Sequence, residues 1–189
     1  MTTYTRSWMN EVWLVWSVLQ LPLILLVDNL ELYPERFWKP AGSLLHFAYG
    51  AKQDYIAEFN DPIPQWSAAT ASGHDSWMGL FCHLEVLFAL PIIIFTIFRL
   101  GIQRKGTSGA HELALLVYAF EAAFTTLTCM NDVLYWDATI YPAALKQKLL
   151  LNMYAPFFVI PSILFIDMAS RMLGRFREAD ALLAGKKAQ

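Results

Sequence analysis

Four stretches of the chain are apolar for longer than a buried helix or strand of a water-soluble domain requires. They run from about Val12 to Val27, Trp77 to Leu100, Leu113 to Tyr135 and Leu149 to Leu173. Each approaches or exceeds the roughly 20 residues that a helix needs to cross a bilayer. The first resembles a secretory signal in hydropathy. It lacks a basic leading region and a small-residue cleavage site, and Asp28 follows it directly, so the pattern predicts a span. Between the first two spans, Asn29 to Ser76 holds Pro34, Pro40, Pro62 and Pro64 among many aromatics, including Tyr33, Trp38, Tyr55 and Trp66. That composition is too aromatic for a disordered linker and predicts a folded cap at the membrane surface. The expected fold is an all-α membrane protein, a four-transmembrane-helix bundle with a lumenal cap between the first two helices.

Composition supports this reading. The chain has 189 residues, of which 57% are hydrophobic and 16% charged. A soluble domain carries about 25% charged residues, so the excess apolar surface calls for lipid. A net charge of −2 gives no sign of a nucleic-acid partner. The two cysteines, Cys82 and Cys129, sit inside apolar segments, so neither a disulfide framework nor a metal cluster is expected. No cofactor is expected either. Basic residues set the orientation. Nine lie on the side of the termini (Arg6, Arg99, Arg104, Lys105, Arg171, Arg175, Arg177, Lys186, Lys187) and five on the other (Arg36, Lys39, Lys52, Lys146, Lys148). Both termini are therefore expected in the cytoplasm. The ending Lys186-Lys187-Ala188-Gln189 resembles a dilysine endoplasmic-reticulum retrieval signal, which acts on that same side.

Candidate chemistry lies in the ionisable residues within the spans, because a charge at bilayer depth costs about 3 kcal/mol or more unless it faces the bundle interior. Asp28, Glu85, Glu121, Asp132 and Asp167 qualify. Asp167 has Arg171 at i+4, so an ion pair is its expected role. The third span carries Glu121, Thr125, Thr128, Asp132 and Tyr135 at helical spacing, which predicts one polar stripe. The stripe either joins helices through hydrogen bonds or lines a pocket. Pro22, Pro91, Pro156 and Pro161 interrupt three spans and each frees a carbonyl one turn back, so the helices are expected to kink and splay. Together with Phe81, Phe88, Tyr118, Phe120, Phe124, Tyr154 and Phe157 these features predict an enclosed pocket for a bulky, mostly apolar ligand with one polar or cationic group. His46 and His74 fall on the connection, His111 at a helix entry, and His83 on a face away from Glu85, so no metal site is expected.

At these residues the chain resembles the EXPERA-domain group, which includes the sigma-two receptor and the emopamil-binding protein, a sterol double-bond isomerase. The resemblance is carried by LPLILLVD ending at Asp28, FNDP at Phe59 to Pro62, FCHLEVLFALP at Phe81 to Pro91, NDVLYW at Asn131 to Trp136 and MYAPFFVIP at Met153 to Pro161. It spans about residues 10 to 172, with residues 173 to 189 left as a cytoplasmic tail. The resemblance implies an endoplasmic-reticulum homodimer whose pocket holds a sterol-like or terpenoid polycyclic molecule among membrane lipids. Asp28 and Glu85 match the family's pocket carboxylates. Two positions depart from the isomerase: Ile24 stands where it has a histidine, and Phe157 where it has a tryptophan. Two functions follow. One is an isomerase or cyclase in which Asp28, Glu85 and Glu121 are the acid/base residues. Phe81, Phe88, Tyr118, Thr125, Thr128, Asp132, Tyr154 and Phe157 would then contact substrate. The other is a non-catalytic sterol- and amine-binding protein. NDVLYW and the extra acid Glu121 favour the first.

Overall fold

A computed structural model describes residues 7–66 and 76–187. Among them all the regular structure is helical, without strands. Four helices are long and apolar enough to cross a membrane: Trp8–Asp28, Trp77–Ile102, Gly109–Tyr135 and Ala143–Gly185. The expected four-span bundle is therefore present, with longer helices than the apolar runs alone suggest. The first span starts at Trp8 because the Ser7 side chain caps it, accepting from the Met9 N–H at 3.3 Å. The third starts after Ser108, which caps it in the same way. The fourth begins after Pro142 and stays helical to Lys187, well past Leu173. Arg6, His74, Ala188 and Gln189 lie outside the described residues, as do the side chains of Lys186 and Lys187.

The spans are not uniform α-helices. Each of three contains a widened turn in which an amide reaches back five residues. These are Ile24–Asp28, where Asn29 N–H donates to Ile24 O, Glu85–Ala89, where Leu90 donates to Glu85 O, and Leu149–Tyr154, where Ala155 donates to Leu150 O. A proline lies close by in each case: Pro22, Pro91 and Pro156. A fourth such turn, Ile97–Ile102, ends the second span. A missing amide donor and a widened turn both bend a helix.

The bundle is held tightly at the end that carries the termini. There Trp13, Ile93, Leu100, Leu115, Ala119, Leu164 and Met168 pack into one core. A polar cluster lies beside it. Arg171 bonds Asp167 at 2.8 Å, as its i+4 spacing predicts, and also Asn10 at 2.7 Å and Thr107 at 3.2 Å. The Trp13 indole donates to Asp167 at 2.6 Å. Arg175 pairs with the buried Glu112, and His111 Nε2 meets Thr96 Oγ1 at 2.9 Å. All four spans contribute, so every charge here is paired at a depth where an unpaired one would be costly. Lipid-facing positions such as Val15, Leu87, Val117, Leu127 and Ile166 are exposed, as expected in a hydrocarbon solvent.

At the opposite end the spans separate, and the connection between the first two folds over the gap. Two short 3-10 turns, Leu30–Leu32 and Glu35–Phe37, lead into a cap helix, His46–Phe59. Leu30, Trp38 and Ala48 form a small second core under Tyr33 and Tyr49. Asn60 ends the cap helix with φ 49°, a left-handed conformation that asparagine tolerates better than most residues.

Candidate functional site

Where the spans part, a cavity of about 470 Å³ opens between them and beneath the cap. Its size falls within the range of small-molecule sites, about 300–1,000 Å³. Every span contributes to the wall, and so does the cap. Asp28, Ile24 and Gln20 come from the first span, Phe81, Cys82, Glu85 and Ala89 from the second, and Tyr118, Glu121, Ala122, Thr125, Thr126 and Cys129 from the third. Met153, Tyr154, Phe157 and Pro161 come from the fourth, and Lys52, Tyr55, Asp61, Ile63, Pro64 and Trp66 from the cap segment.

The widened turns place the acids. Asp28 is the last residue of one and Glu85 the first of another. Between them stands Asn29, 4% exposed, whose side-chain amide donates to Glu85 Oε2 at 2.9 Å and to Ile24 O at 3.1 Å. That bridge holds the Glu85 carboxyl level with the end of the first span. Asp28 and Glu85 line the same cavity, and Lys52 of the cap joins them in its wall. Lys52 is 6% exposed and reaches Glu31 at 3.3 Å, so a buried cation closes the cap end of the cavity. The third acid, Glu121, stands deeper, and its Oε1 atom is buried without a hydrogen-bond partner among the described residues.

Asp61, in the FNDP run, ties the cap down. Its Oδ2 atom accepts from Tyr154 Oη at 2.6 Å and Tyr55 Oη at 2.7 Å, and its Oδ1 atom accepts from the Ile63 N–H at 2.9 Å. Burial and the adjacent Asp61 carboxylate hold the Tyr55 phenol above its ordinary value. Lys148 of the fourth span adds an ion pair to Glu58 at 2.8 Å and lies over the Phe59 ring.

Of the residues singled out from the sequence, Asp28, Glu85, Glu121, Phe81, Tyr118, Thr125, Tyr154 and Phe157 line this one cavity. Three others stand elsewhere. Phe88 packs instead against the main core. Thr128 lies outside the cavity wall, and its hydroxyl bonds the Phe124 carbonyl of its own helix at 3.0 Å. Asp132 also lies outside, accepting from the Trp136 indole at 2.8 Å beside a smaller crevice. The cavity-facing stripe of the third span is Tyr118, Ala122, Thr125 and Cys129, with Glu121 and Thr126 at its edges. Lys52, Asp61, Gln20 and Trp66 were not singled out as pocket residues. Asp61 sits in the FNDP run that carries the family resemblance, while Lys52 carries no local signal.

A helical membrane bundle with an acidic, aromatic-walled cavity inside the bilayer defines the class. Comparison with known proteins gives the family. The chain matches the EXPERA family (expanded EBP superfamily) over residues 47–168, and it belongs to that family. It is also similar to the efficient mitochondria targeting-associated protein 19 of Schizosaccharomyces pombe, with 26% identity over 169 residues, covering 89% of this chain and 79% of that protein.

Proposed function

We propose that this protein binds a sterol-like or terpenoid molecule in the intramembrane cavity and that Asp28 and Glu85 carry out acid/base isomerisation on it. The observation that supports this most is the convergence of two carboxyls from different spans on one largely apolar cavity, bridged by Asn29. Repulsion in such a site opposes two negative charges, so the pair works as one acid and one base. The protonated carboxyl would deliver its proton to one carbon of a ring double bond. The positive charge left on the neighbouring carbon would face the rings of Phe81, Tyr154 and Phe157, which stabilise cations. The ionised carboxyl would then take a proton from the next carbon, and the double bond would have moved with no net change in atoms or charge. A cyclase would use the same first step.

A second reading is a non-catalytic binder of sterols and amines, in which the carboxyls only fix the ligand's polar group. The family resemblance further supports a homodimer in the endoplasmic-reticulum membrane, residues 10–172 forming the membrane unit, and the bias of basic residues supports cytosolic termini. Substitution separates the two functions. Glu85→Gln keeps the side-chain size and removes the proton. With an enzyme, turnover of the accepted sterol or terpenoid should be abolished while binding persists within about tenfold, or about 1.4 kcal/mol. Unchanged turnover in both Glu85→Gln and Asp28→Asn would overturn the mechanism. Absence of turnover in the wild type, with sterol or amine binding lost in both variants, would establish the binder. A glycosylation tag at the C-terminus should stay unmodified in microsomes. Its modification, or a purely mitochondrial location, would refute the placement.

A further inference from the structure

The cavity has polar groups at two levels. The upper level is the cap end, with Asp28, Glu85 and Lys52. The lower is near the middle of the bundle. Gln20 of the first span and Tyr118 and Glu121 of the third bring an amide, a phenol and a carboxyl to the same cavity. Gln20 is eight residues before Asp28, about 12 Å along the helix at about 1.5 Å per residue. Glu121 is the thirteenth residue of the 27-residue third span, so it sits near mid-membrane. Tyr118 and Glu121 are three residues apart and so lie on one helix face. Ile24, Ala89, Ala122 and Phe157 make the cavity wall apolar around these groups.

The lower level is incomplete. Gln20 and Tyr118 are buried, and Glu121 Oε1 is buried with no hydrogen-bond partner among the described residues. Thr125 cannot supply one, because its hydroxyl donates to the Glu121 and Ala122 carbonyls at 3.0 and 3.2 Å. A polar atom left unpaired at this depth is costly, and a ligand that pairs it gains what a purely apolar ligand forfeits. Sites built to pair a ligand's polar group discriminate strongly against analogues lacking it.

We infer that Gln20, Tyr118 and Glu121 form a second polar subsite, and that the cavity selects a rigid apolar molecule bearing two hydrogen-bonding groups, one for each level. The head group meets Asp28, Glu85 and Lys52. The second group, a hydroxyl or another neutral donor, meets the deep subsite. This rests on the cavity being a sterol-like site, as proposed above, but not on whether the protein is catalytic.

The test compares a sterol carrying only its ring hydroxyl with the same sterol bearing a second hydroxyl on its side chain. Binding is measured to the full chain in lipid nanodiscs. The wild type should bind the diol at least tenfold more tightly. Glu121→Leu should bring the two within about twofold by weakening the diol alone, leaving the single-hydroxyl sterol as tight or tighter. Gln20→Leu, on a different helix, should narrow the gap as well and serves if Glu121→Leu does not fold. Equal binding of both sterols by the wild type overturns the inference and leaves the sterol site standing. So does a tenfold preference that survives in the folded variants. Failure of the wild type to bind either sterol overturns both.

Discussion

Removing one hydroxyl at Tyr154 should loosen the cap by an amount that can be worked from the geometry. Asp61 is 1% exposed and its carboxylate accepts three hydrogen bonds, from Tyr154, Tyr55 and the Ile63 amide. The Tyr154 bond, at 2.6 Å, joins the cap segment to the fourth span. Tyr154→Phe keeps the ring against the cavity and deletes only that donor. A hydrogen bond to a charged group contributes about 1.5–3 kcal/mol, and the remaining two donors keep Asp61 from being stranded. The expected loss is therefore about 2 kcal/mol. For a chain of this size each kcal/mol moves the midpoint by about 2–4 °C, so Tm should fall by about 4–8 °C.

The chain carries its own reporters. Cys82 and Cys129 are free, partly buried and part of the cavity wall. A thiol-reactive dye that fluoresces on coupling will follow unfolding as the cavity opens. Asp61→Ala strands two phenols instead of removing one, and should cost more than Tyr154→Phe. The double variant should cost less than the sum, because both changes break the same bond. A Tyr154→Phe midpoint within about 1 °C of wild type would refute the tether, given the conversion above. Strict additivity of the two substitutions would refute it as well.

Other expectations follow from the remaining contacts. Arg175→Leu removes the guanidinium from Glu112, 2% exposed, which keeps its hydrogen bond from Thr107; Arg175 is itself 39% exposed, so the fold should lose about 1–3 kcal/mol, read as a lower Tm. Pro91→Ala restores an amide one turn after Leu87 and favours a regular helix. Thermal stability should hold or rise while binding at the cavity weakens tenfold or more, because Glu85 is placed by the widened turn next to it. Alkaline stability should report Tyr55. Its phenol is held above the ordinary 10.0, so the unfolded chain ionises first and stability present below that pH is lost as pH rises through it. Tyr55→Phe should flatten this alkaline fall in a pH series of unfolding midpoints.

The spans were legible because lipid imposes a length and a composition that few other environments demand. Their ends were less so: the first helix begins at Trp8 because of a single capping contact from Ser7, which hydropathy does not register. The acids were legible for a similar reason, since Asp28, Glu85 and Glu121 are expensive wherever they are not inside. The third-span stripe was misphased. Thr128 looks like a pocket residue by type, yet its hydroxyl is satisfied by its own helix, as are those of Thr125 and Thr126. A threonine that bonds its own backbone is free to face any direction, so its polarity does not mark a face. The true wall includes Ala122 and Cys129, whose side chains give no polar signal. Lys52 and Asp61 reach the cavity only because the cap folds back over the bundle, a tertiary fact with no local trace.

The prolines connect these observations. Taken singly each is ordinary in a membrane helix. In the structure, three stand within a few residues of the widened turns at Ile24–Asp28, Glu85–Ala89 and Leu149–Tyr154. All three turns supply cavity residues, among them Asp28, Glu85 and Tyr154. The fourth widened turn, Ile97–Ile102, has no proline so near it and contributes none of the cavity wall; its Leu100 packs in the core. A widened turn shifts every later side chain around the helix by a fraction of a turn. It therefore changes which residues face inward on either side of the bend. At the terminal end the first, third and fourth spans keep a regular face, and all four close on a paired polar cluster and an apolar core. Beyond the bends the phase has changed, the faces no longer match, and the gap is filled by acids, rings and a cap. The same irregularity that costs the helices a hydrogen bond thus places carboxyls from different spans in one cavity, at a depth where their charge is most consequential.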